Sequence, residues 1–467
     1  MSDFIPQLQK IVGDKFVLTG EAAEPYLEDT RKLVKGKALA VVRPASTKEV
    51  SEVVKLCAAN KIAIVPQGGN TSYMGGAVPH QGNEIILSLG RMDKVREINA
   101  RDFTMTVDAG CILQNLQEAA AAKNCLLPLK LASEGTCQIG GNIATNAGGI
   151  LTIRYGNTRD LVLGLEVVLA NGEIWNGLRH LRKDNTGYDL KQLFIGSEGS
   201  LGIITGAVLK LFPLPTHKET FFVALKDLSL SPELYTQARS ALGDCLNAYE
   251  LVPHSGIKMA KEYNVPCVDP LTVDAKWLIL GEVSAAVGTD SLRARVEGFL
   301  EQAFEKGLIV DGTIAESEAQ RADLWRMREA IVAVQAYGGV VLKCDVSVPI
   351  AQMPSFIDEA DALVVKMMPG IIPHGFGHLG DGNIHLNYIQ PKGMPAADFR
   401  ARMHGIEQAV HDLLIDKYNG SFSAEHGIGQ FKRDELAVRK SKVEMDMMRA
   451  VKRVLDPDNL MNPGCVV

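Results

Sequence analysis

The sequence lacks the features that identify membrane, disulfide-rich and nucleic-acid-binding proteins. It contains no run of about 18 apolar residues, so we expect no membrane-spanning helix. The eight cysteines are scattered and include no C-x-x-C pair, which favours reduced thiols over a disulfide framework. The net charge of -6 gives no reason to expect a nucleic acid as partner.

The first residues, Met1 to Ile5, also lack the basic and apolar segments of a signal peptide. Together with the reduced cysteines, this leads us to expect a cytoplasmic protein. The 467 residues, 46% of them hydrophobic and 22% charged, are typical of a globular enzyme with two or three domains.

A stretch near the C-terminal end carries the densest set of chemically reactive side chains. Asp381-Gly382, flanked by runs that alternate with a period of two, predicts a hairpin with a two-residue loop. In that register His378 would face His385 and Phe376 would face Asn387, all on one side of the sheet. Two imidazoles held in this way can bind one divalent ion, and a hairpin with surface histidines is the alternative.

The same stretch contains the glycine spacing of a dinucleotide-binding loop. Gly375, Gly377 and Gly380 fit the pattern GxGxxG, which binds a pyrophosphate when a strand precedes it and a helix follows it. Here a turn and an extended run follow, so we reject this stretch as a dinucleotide-binding loop.

Two glycine-rich stretches in the N-terminal half predict contact with a ligand. In the first, Pro66–Gly76, closely spaced glycines let backbone N–H groups form an anion-binding concavity, although an ordinary turn is equally compatible. In the second, Ser133–Gly149, the small residues indicate a backbone pressed against a large flat ligand. Further along the chain, Asn171-Gly172 predicts a type I′ hairpin turn.

Two elements of the second half carry candidate cations. A helix from about Ala319 to Tyr337 would place Arg328 and Val332 on one face. The alternating run 340–348 predicts a strand with Lys343 on its polar face, where a lysine is usually solvated.

Together these motifs resemble a known group of flavoproteins. PQGGNT, GGNIATNAGG, RYG and GSEGSLGIIT resemble the vanillyl-alcohol oxidase type of FAD-binding domain. GHLGDGNIH and SAEHGIG resemble the FAD-linked 2-hydroxy acid dehydrogenases, and LRKDNTGYDLKQLFIGSEG is similar to those that act on D-2-hydroxyglutarate. The resemblance covers nearly the whole chain.

The resemblance implies an α+β fold. A two-part FAD-binding domain of the vanillyl-alcohol oxidase type (PCMH) would be followed by an α/β cap domain that binds substrate and contains an antiparallel sheet. We expect the first at residues 1–215, with an N-terminal helical segment, and the cap at residues 216–424. Pro213 and Pro215 mark this boundary. Residues 425–467 would return to the flavin.

The resemblance also implies noncovalent FAD, with its pyrophosphate on the first glycine-rich loop. The residues implied to contact FAD are Pro66, Gln67, Gly68, Gly69, Asn70, Thr71, Ser72, Gly76, Glu134, Gly135, Thr136, Gly140, Gly141, Asn142, Thr145, Asn146, Gly149, Ile204 and Asn462.

A divalent metal is implied as well, with zinc as the first choice and Mn, Co and Fe left open. Its ligands would be His378, His385 and Glu425, a set that leaves one position open for substrate. His426 would contact the substrate and act as the base, a task that suits an imidazole near neutral pH. Asn387 would also contact the substrate.

Arg328 and Lys343 match the cations that hold the distal carboxylate of the substrate in this family. The family carries a threonine one turn after the arginine, whereas this chain carries Val332. The missing hydroxyl donor leaves the exact dicarboxylate open, but Arg328 and Lys343 still supply two charge-assisted donors. We therefore rank D-2-hydroxyglutarate first, D-malate a close second and D-lactate third. The implied reaction is FAD- and metal-dependent oxidation of the hydroxy acid by hydride transfer to flavin.

Three other classes of protein stay open. A nicotinamide-dependent dehydrogenase is disfavoured because the only GxGxxG pattern lies in a predicted hairpin. A metal-dependent hydrolase would not need the glycine-rich stretches, and a non-catalytic flavin-binding protein would not need Arg328, Lys343 and His426. The electron acceptor that the resemblance implies is an electron-transfer flavoprotein, with a quinone as alternative. The family's members are often homodimers.

Overall fold

The computed structural model describes residues 3–286 and 291–467, and the chain divides into two compact units. The N-terminal unit comprises Met1–Gly148, Gly156–Leu214 and Glu425–Val467, and the central unit comprises Gly149–Tyr155 and Pro215–Ala424. None of the eight cysteines, all of which lie in the described ranges, forms a disulfide, as their scatter predicted. Within the described ranges, no helix is both long enough and apolar enough to cross a membrane.

Helices and mostly antiparallel strands alternate along the chain, which confirms the α+β class. The strands are β1 (Val17–Leu18), β2 (Ala40–Val42), β3 (Ile64–Gln67), β4 (Ile85–Ser88), β5 (Val95–Asn99), β6 (Thr104–Asp108), β7 (Cys125–Leu126), β8 (Val162–Val168), β9 (Ile174–Gly177), β10 (Ile203–Lys210), β11 (Phe212–Pro213), β12 (His217–Leu225), β13 (Leu246–Pro253), β14 (Trp277–Ala285), β15 (Ile309–Ile314), β16 (Val341–Ser347), β17 (Ile372–His378) and β18 (Asn383–Ile389). The α-helices are α1 (Phe4–Val12), α2 (Thr47–Asn60), α3 (Leu113–Ala121), α4 (Ile139–Ala144), α5 (Thr152–Tyr155), α6 (Thr158–Leu161), α7 (Lys191–Phe194), α8 (Ser231–Leu242), α9 (His254–Glu262), α10 (Ser291–Glu305), α11 (Glu318–Ala333), α12 (Met353–Met367), α13 (Ala396–Tyr418), α14 (Arg433–Arg439) and α15 (Lys442–Leu455).

Two main sheets organise the N-terminal unit. The first has the order β1-β2-β4-β3, with β2, β4 and β3 parallel and β1 antiparallel at the edge. The second is antiparallel with the order β5-β6-β10-β8-β9. Near the C-terminus, Met461 pairs with Ile64 of β3, and the N–H of Asn462 donates to the Ile64 carbonyl at 2.8 Å. The end of the chain therefore runs beside the strand that leads into the first glycine-rich loop.

The turn between β8 and β9 differs from the predicted one. Both residues of a type I′ turn have positive φ, but of Asn171 and Gly172 only Gly172 does, with φ of 80°. The N–H of Gly172 donates to the carbonyl of Leu169, whose own N–H donates to the carbonyl of Glu173. The prediction of a type I′ turn was wrong, because a longer loop closed by a left-handed glycine joins these strands.

The central unit is built on one antiparallel sheet with the order β15-β12-β14-β13-β17-β18-β16. One face of this sheet packs against α11, since Phe222, Leu280 and Phe376 share a hydrophobic cluster with Met327 and Ile331 of that helix. The helix that carries Arg328 therefore covers this face of the sheet.

β17 and β18 form the predicted hairpin, but in a different register. Phe376 pairs with His385, and His374 pairs with Asn387. The predicted pairs, in which His378 faced His385 and Phe376 faced Asn387, were wrong by two residues. Because side chains alternate with a period of two, this shift keeps all of these residues on the predicted side of the sheet.

The register shift originates in the loop. Leu379–Asp381 forms a 3-10 turn, and Gly382 follows with a left-handed φ of 83°. The side chain of Leu379 is only 1% exposed, so this residue turns into the core instead of continuing the ladder. A strand and not a helix follows the glycines of the GxGxxG pattern, which confirms that it is no dinucleotide-binding loop.

Candidate functional site

The glycine-rich loop after β3 lines a cavity in the N-terminal unit. The backbone N–H groups of residues 68–72 donate to no acceptor within the part of the chain that the structure describes. Asn70, with φ of 51°, is fixed by a hydrogen bond from its Nδ2 to the Glu28 carbonyl at 2.8 Å. A row of available backbone donors at a constrained turn suits a pyrophosphate.

The helix α4 in the second glycine-rich stretch also lines this cavity, and its two glycines have different environments. A Cβ on Gly140 would lie 2.7 Å from the Cβ of Ala109, so this glycine permits close packing. A Cβ on Gly141 would have no atom within 4 Å among the described residues beyond its chain neighbours and its own helix backbone. Gly141 therefore faces open space in the cavity.

Most of the residues implied to contact FAD line the cavity, and several lie outside its wall. Those in the wall are Pro66, Gln67, Gly68, Gly69, Asn70, Thr71, Ser72, Gly76, Gly140, Gly141, Asn142, Thr145 and Ile204. Those outside it are Glu134, Gly135, Thr136, Asn146, Gly149 and Asn462. Asn462 has a supporting contact instead, because its Nδ2 donates to the carbonyls of Gly76 at 2.9 Å and Glu198 at 2.7 Å.

Glu198 is a residue of the cavity wall that the sequence analysis did not assign. Its two carboxylate oxygens accept hydrogen bonds from the backbone N–H groups of Ile428 at 2.7 Å and Gly429 at 2.8 Å. Burial raises the pKa of this carboxyl although both hydrogen bonds act to lower it. Glu198 thus fixes the segment that follows His426. Its only sequence signal was its place in the glycine-rich run Gly196-Ser197-Glu198-Gly199.

Glu425 and His426 line the same cavity as the two glycine-rich stretches. The His426 ring meets Tyr73 edge to face, with the ring centroids 4.8 Å apart. Gly427, with φ of 81°, turns the chain directly afterwards. The predicted base therefore lies in the wall of the predicted FAD cavity.

In the central unit, His378 and His385 lie close together on one face of the sheet. Their ring centroids are 5.5 Å apart, with the ring planes at 80°. Nδ1 of His385 lies 3.6 Å from Oδ1 of Asp345, its cross-strand neighbour on β16. Imidazole and carboxylate are ligand types that divalent transition metals bind in proteins.

Glu250 on β13 is a partner of His378 that the sequence analysis missed. It is 1% exposed, and one of its oxygens, Oε1, lies 2.7 Å from Nδ1 of His378. The other, Oε2, accepts a hydrogen bond from Nε of Arg328 at 3.0 Å and forms an ion pair with Nη2 of the same guanidinium at 2.9 Å. Burial acts to raise the pKa of this carboxyl, but its electrostatic interactions and hydrogen bonds with His378 and Arg328 lower it to about 2.

The remaining predicted substrate residues have contrasting environments within the central unit. Arg328 is 7% exposed, whereas Val332, one turn later on α11, is 45% exposed. Lys343 pairs with Asn387 across β16 and β18. Nδ2 of Asn387 donates to Oε1 of the buried Gln335 at 3.0 Å. Lys343 and Asn387 thus share the sheet face that carries the two histidines.

The side chains of each unit fit the groups that the sequence implied. In the cavity, Oε1 of Gln138 is buried and has no hydrogen-bond partner in the described ranges, so a polar ligand atom can satisfy it. In the central unit, Nδ1 of His378 lies 2.7 Å from Oε1 of Glu250, so Nε2 is the nitrogen through which this ring would bind a metal. Glu425, the third predicted ligand, belongs to the N-terminal unit.

Comparison with known proteins gives matches along almost the whole chain. Residues 38–177 match the FAD binding domain model, and residues 214–466 match the model of the C-terminal domain of FAD linked oxidases. The chain is 37% identical over 460 residues to the mitochondrial D-2-hydroxyglutarate dehydrogenase of Arabidopsis thaliana, covering 98% of this chain and 80% of that one. It is 36% identical over 465 residues to the D-2-hydroxyglutarate dehydrogenase of Stutzerimonas stutzeri, covering 98% of both.

Among solved structures, p-cresol methylhydroxylase with bound substrate superposes with a TM-score of 0.77. The match covers 99% of this chain and 96% of the other, at 19% sequence identity. At that identity the likeness establishes the fold alone.

Proposed function

We propose that this chain, which belongs to the FAD-linked oxidases and within them to the D-2-hydroxyglutarate dehydrogenases, oxidises D-2-hydroxyglutarate to 2-oxoglutarate. The observation that carries the proposal is the cavity of the N-terminal unit, which has both glycine-rich stretches and His426 in its wall. D-Malate is the second candidate substrate and D-lactate the third, because Val332 lacks the hydroxyl of the family threonine.

The cavity residues would hold FAD, with the N–H groups of residues 68–72 on the pyrophosphate and Gly141 beside the open space. His378, His385 and Glu425 would hold a divalent metal, with zinc as the first choice. When bound, FAD supplies a hydride acceptor, and the metal supplies Lewis acidity toward the substrate hydroxyl.

The chain's own residues bind the substrate and move its proton. The guanidinium of Arg328 and the ammonium of Lys343 hold the distal carboxylate through charge-assisted hydrogen bonds. The amide of Asn387 orients the reacting end, with its own position fixed by Gln335. An imidazole nitrogen of His426 accepts the hydroxyl proton as the hydride leaves carbon.

The electron acceptor, the assembly and the location complete the proposal. An electron-transfer flavoprotein would accept the electrons released by the oxidation, with a quinone as the alternative acceptor. The chain would work in the cytoplasm, as a homodimer.

Replacing Arg328 by Ala is expected to lower the ratio of kcat/KM for D-2-hydroxyglutarate to that for D-lactate by at least about tenfold. A charge-assisted hydrogen bond is worth roughly 1.5–3 kcal/mol, and each 1.4 kcal/mol is about tenfold in the specificity constant. The ratio is the quantity to measure, because leaving Glu250 without Arg328 costs stability and lowers both constants together. An unchanged ratio would show that Arg328 supports only the fold or the proximal carboxylate.

The companion change, Val332→Thr, restores the hydroxyl of the family threonine. Val332 is partly exposed, so the new hydroxyl needs no repacking of the core. We expect kcat/KM for D-2-hydroxyglutarate to rise about two- to tenfold, the effect of one added hydrogen bond, with D-lactate unaffected. A rise of equal size for both substrates would contradict a role at the distal carboxylate.

A further inference from the structure

A single buried carboxylate joins two parts of the proposed substrate site. Every residue of β13 is buried, and Glu250 is the one acidic side chain in that strand. An ionised carboxylate in such a place is costly unless charged partners and hydrogen bonds compensate for it. Both oxygens of Glu250 are therefore expected to have hydrogen-bonding or positively charged partners.

The two oxygens of Glu250 serve different partners. Oε1 pairs with Nδ1 of His378, its cross-strand neighbour, at 2.7 Å. Oε2 accepts a hydrogen bond from Nε of Arg328 at 3.0 Å and forms an ion pair with Nη2 at 2.9 Å. Because an ionised carboxylate only accepts hydrogen bonds, Nδ1 of His378 must be the protonated nitrogen.

These contacts fix both partners in orientations that the proposed chemistry needs. A histidine that donates its Nδ1–H to a carboxylate presents the lone pair of Nε2, and such a carboxylate orients the ring and raises its basicity toward a metal. The hydrogen bond from Nε and the ion pair from Nη2 to the same oxygen hold the guanidinium in place, and Cζ of Arg328 lies 4.7 Å from the Phe376 ring centroid. Nη1 of Arg328 makes no hydrogen bond to the described residues, so it can donate a hydrogen bond to a second anion.

We propose that Glu250 is a positioning residue that holds His378 as a metal ligand and Arg328 as the cation for the distal carboxylate. The inference rests on the proposed function and deepens it. In this proposal one side chain, Glu250, affects both metal binding and recognition of the substrate's distal carboxylate. The alternative, a purely structural ion pair, would contribute to folding without affecting either binding event.

The test is the variant Glu250→Gln, which keeps the size of the side chain and removes its charge. We expect zinc affinity, measured by competition with a chromogenic chelator, to fall by about 10–100-fold. The FAD content should be unchanged, and the kcat/KM ratio of D-2-hydroxyglutarate to D-lactate should fall as well. Because the chelator competition needs no turnover, it reports the His378 contact directly.

Glu282→Gln is the matched control. Glu282 is also a buried carboxylate of the same sheet, and the partners that hold it are neutral, with Nδ2 of Asn247 at 3.0 Å, Nε1 of Trp325 at 2.9 Å and Oγ1 of Thr220 at 3.3 Å. Its variant should lower the Tm and leave zinc affinity unchanged. A purely structural Glu250 would behave in the same way.

A second variant keeps the test decisive where Glu250→Gln does not fold. The double change Glu250→Gln with Arg328→Met removes the buried charges as a pair, which proteins tolerate better than the loss of one partner. It still takes the carboxylate from His378, so zinc affinity should fall by the same factor. Zinc affinity within about threefold of wild type in either folded variant would overturn the proposal, since loss of such a partner typically costs 10–100-fold. A wild-type protein that binds no metal would instead overturn the proposed function.

Discussion

Replacing Gly141 by Phe is expected to give a folded protein that no longer binds FAD. A Cβ at this position meets no atom within 4 Å in the described ranges apart from its chain neighbours and its own helix backbone, so the ring would enter the cavity and not the core. The wild type should be yellow and release its flavin on acid denaturation, because nothing in the sequence suggests a covalent link. The ratio of flavin to protein in the purified variant, together with its Tm, measures the effect.

The control for this change is Gly405→Phe. Gly405 is an exposed helical glycine on α13, and a Cβ there also has no close neighbour among the described residues. This variant should retain a full complement of FAD. Other glycines of the cavity serve less well, because a Cβ on Gly69 would lie 2.3 Å from the Thr136 carbonyl and disturb the fold itself. A Gly141→Phe protein with a full FAD content would show that the cofactor lies elsewhere.

Replacing His385 by Ala is expected to lower kcat by at least about a thousandfold while FAD stays bound. Polarisation of the substrate oxygen by a metal is worth several kcal/mol, and each 1.36 kcal/mol is a factor of about ten in rate. FAD should remain because His385 belongs to the central unit and every lining residue of the cavity belongs to the N-terminal unit. Steady-state kinetics and the flavin-to-protein ratio check the two halves of the prediction, and elemental analysis shows whether the metal is lost.

His217→Ala is the matched control for that change. His217 lies on β12 of the same sheet and is exposed, so its loss should affect neither metal content nor turnover. If His385→Ala keeps full activity after exhaustive treatment with a chelator, the metal role of this histidine has to be abandoned.

The sequence predicted which side chains share the hairpin face, but it did not predict the register. Alternation with a period of two is a property of every strand, so His378 and His385 could be placed on one face without coordinates. Their pairing depended on whether Leu379 extends the ladder or turns inward. That choice is made by tertiary packing, which buries Leu379, and no local pattern encodes it.

Glu250 shows a second limit of sequence reasoning. Its contacts join residues that lie 128 and 78 positions apart in the chain, and a lone glutamate in an apolar strand carries no motif. Glu198 and Gly429 are likewise 231 positions apart. Local sequence patterns identified the glycine-rich loops, the histidines and the cations. The carboxylates Glu250 and Glu198, which contact these parts of the chain, could be identified only from the three-dimensional structure.

The most direct test of the proposed function is a screen of D- and L-2-hydroxy acids with an artificial electron-accepting dye, repeated after chelator treatment. The dye replaces the physiological acceptor, so the assay isolates oxidation of the substrate. We expect dye reduction with D-2-hydroxyglutarate above D-malate and D-lactate, none with the L-acids, loss of the activity in chelator and its return when zinc or manganese is added. Dye reduction that is absent with every D-2-hydroxy acid, or that is unaffected by exhaustive chelation, would contradict the proposed reaction or its metal.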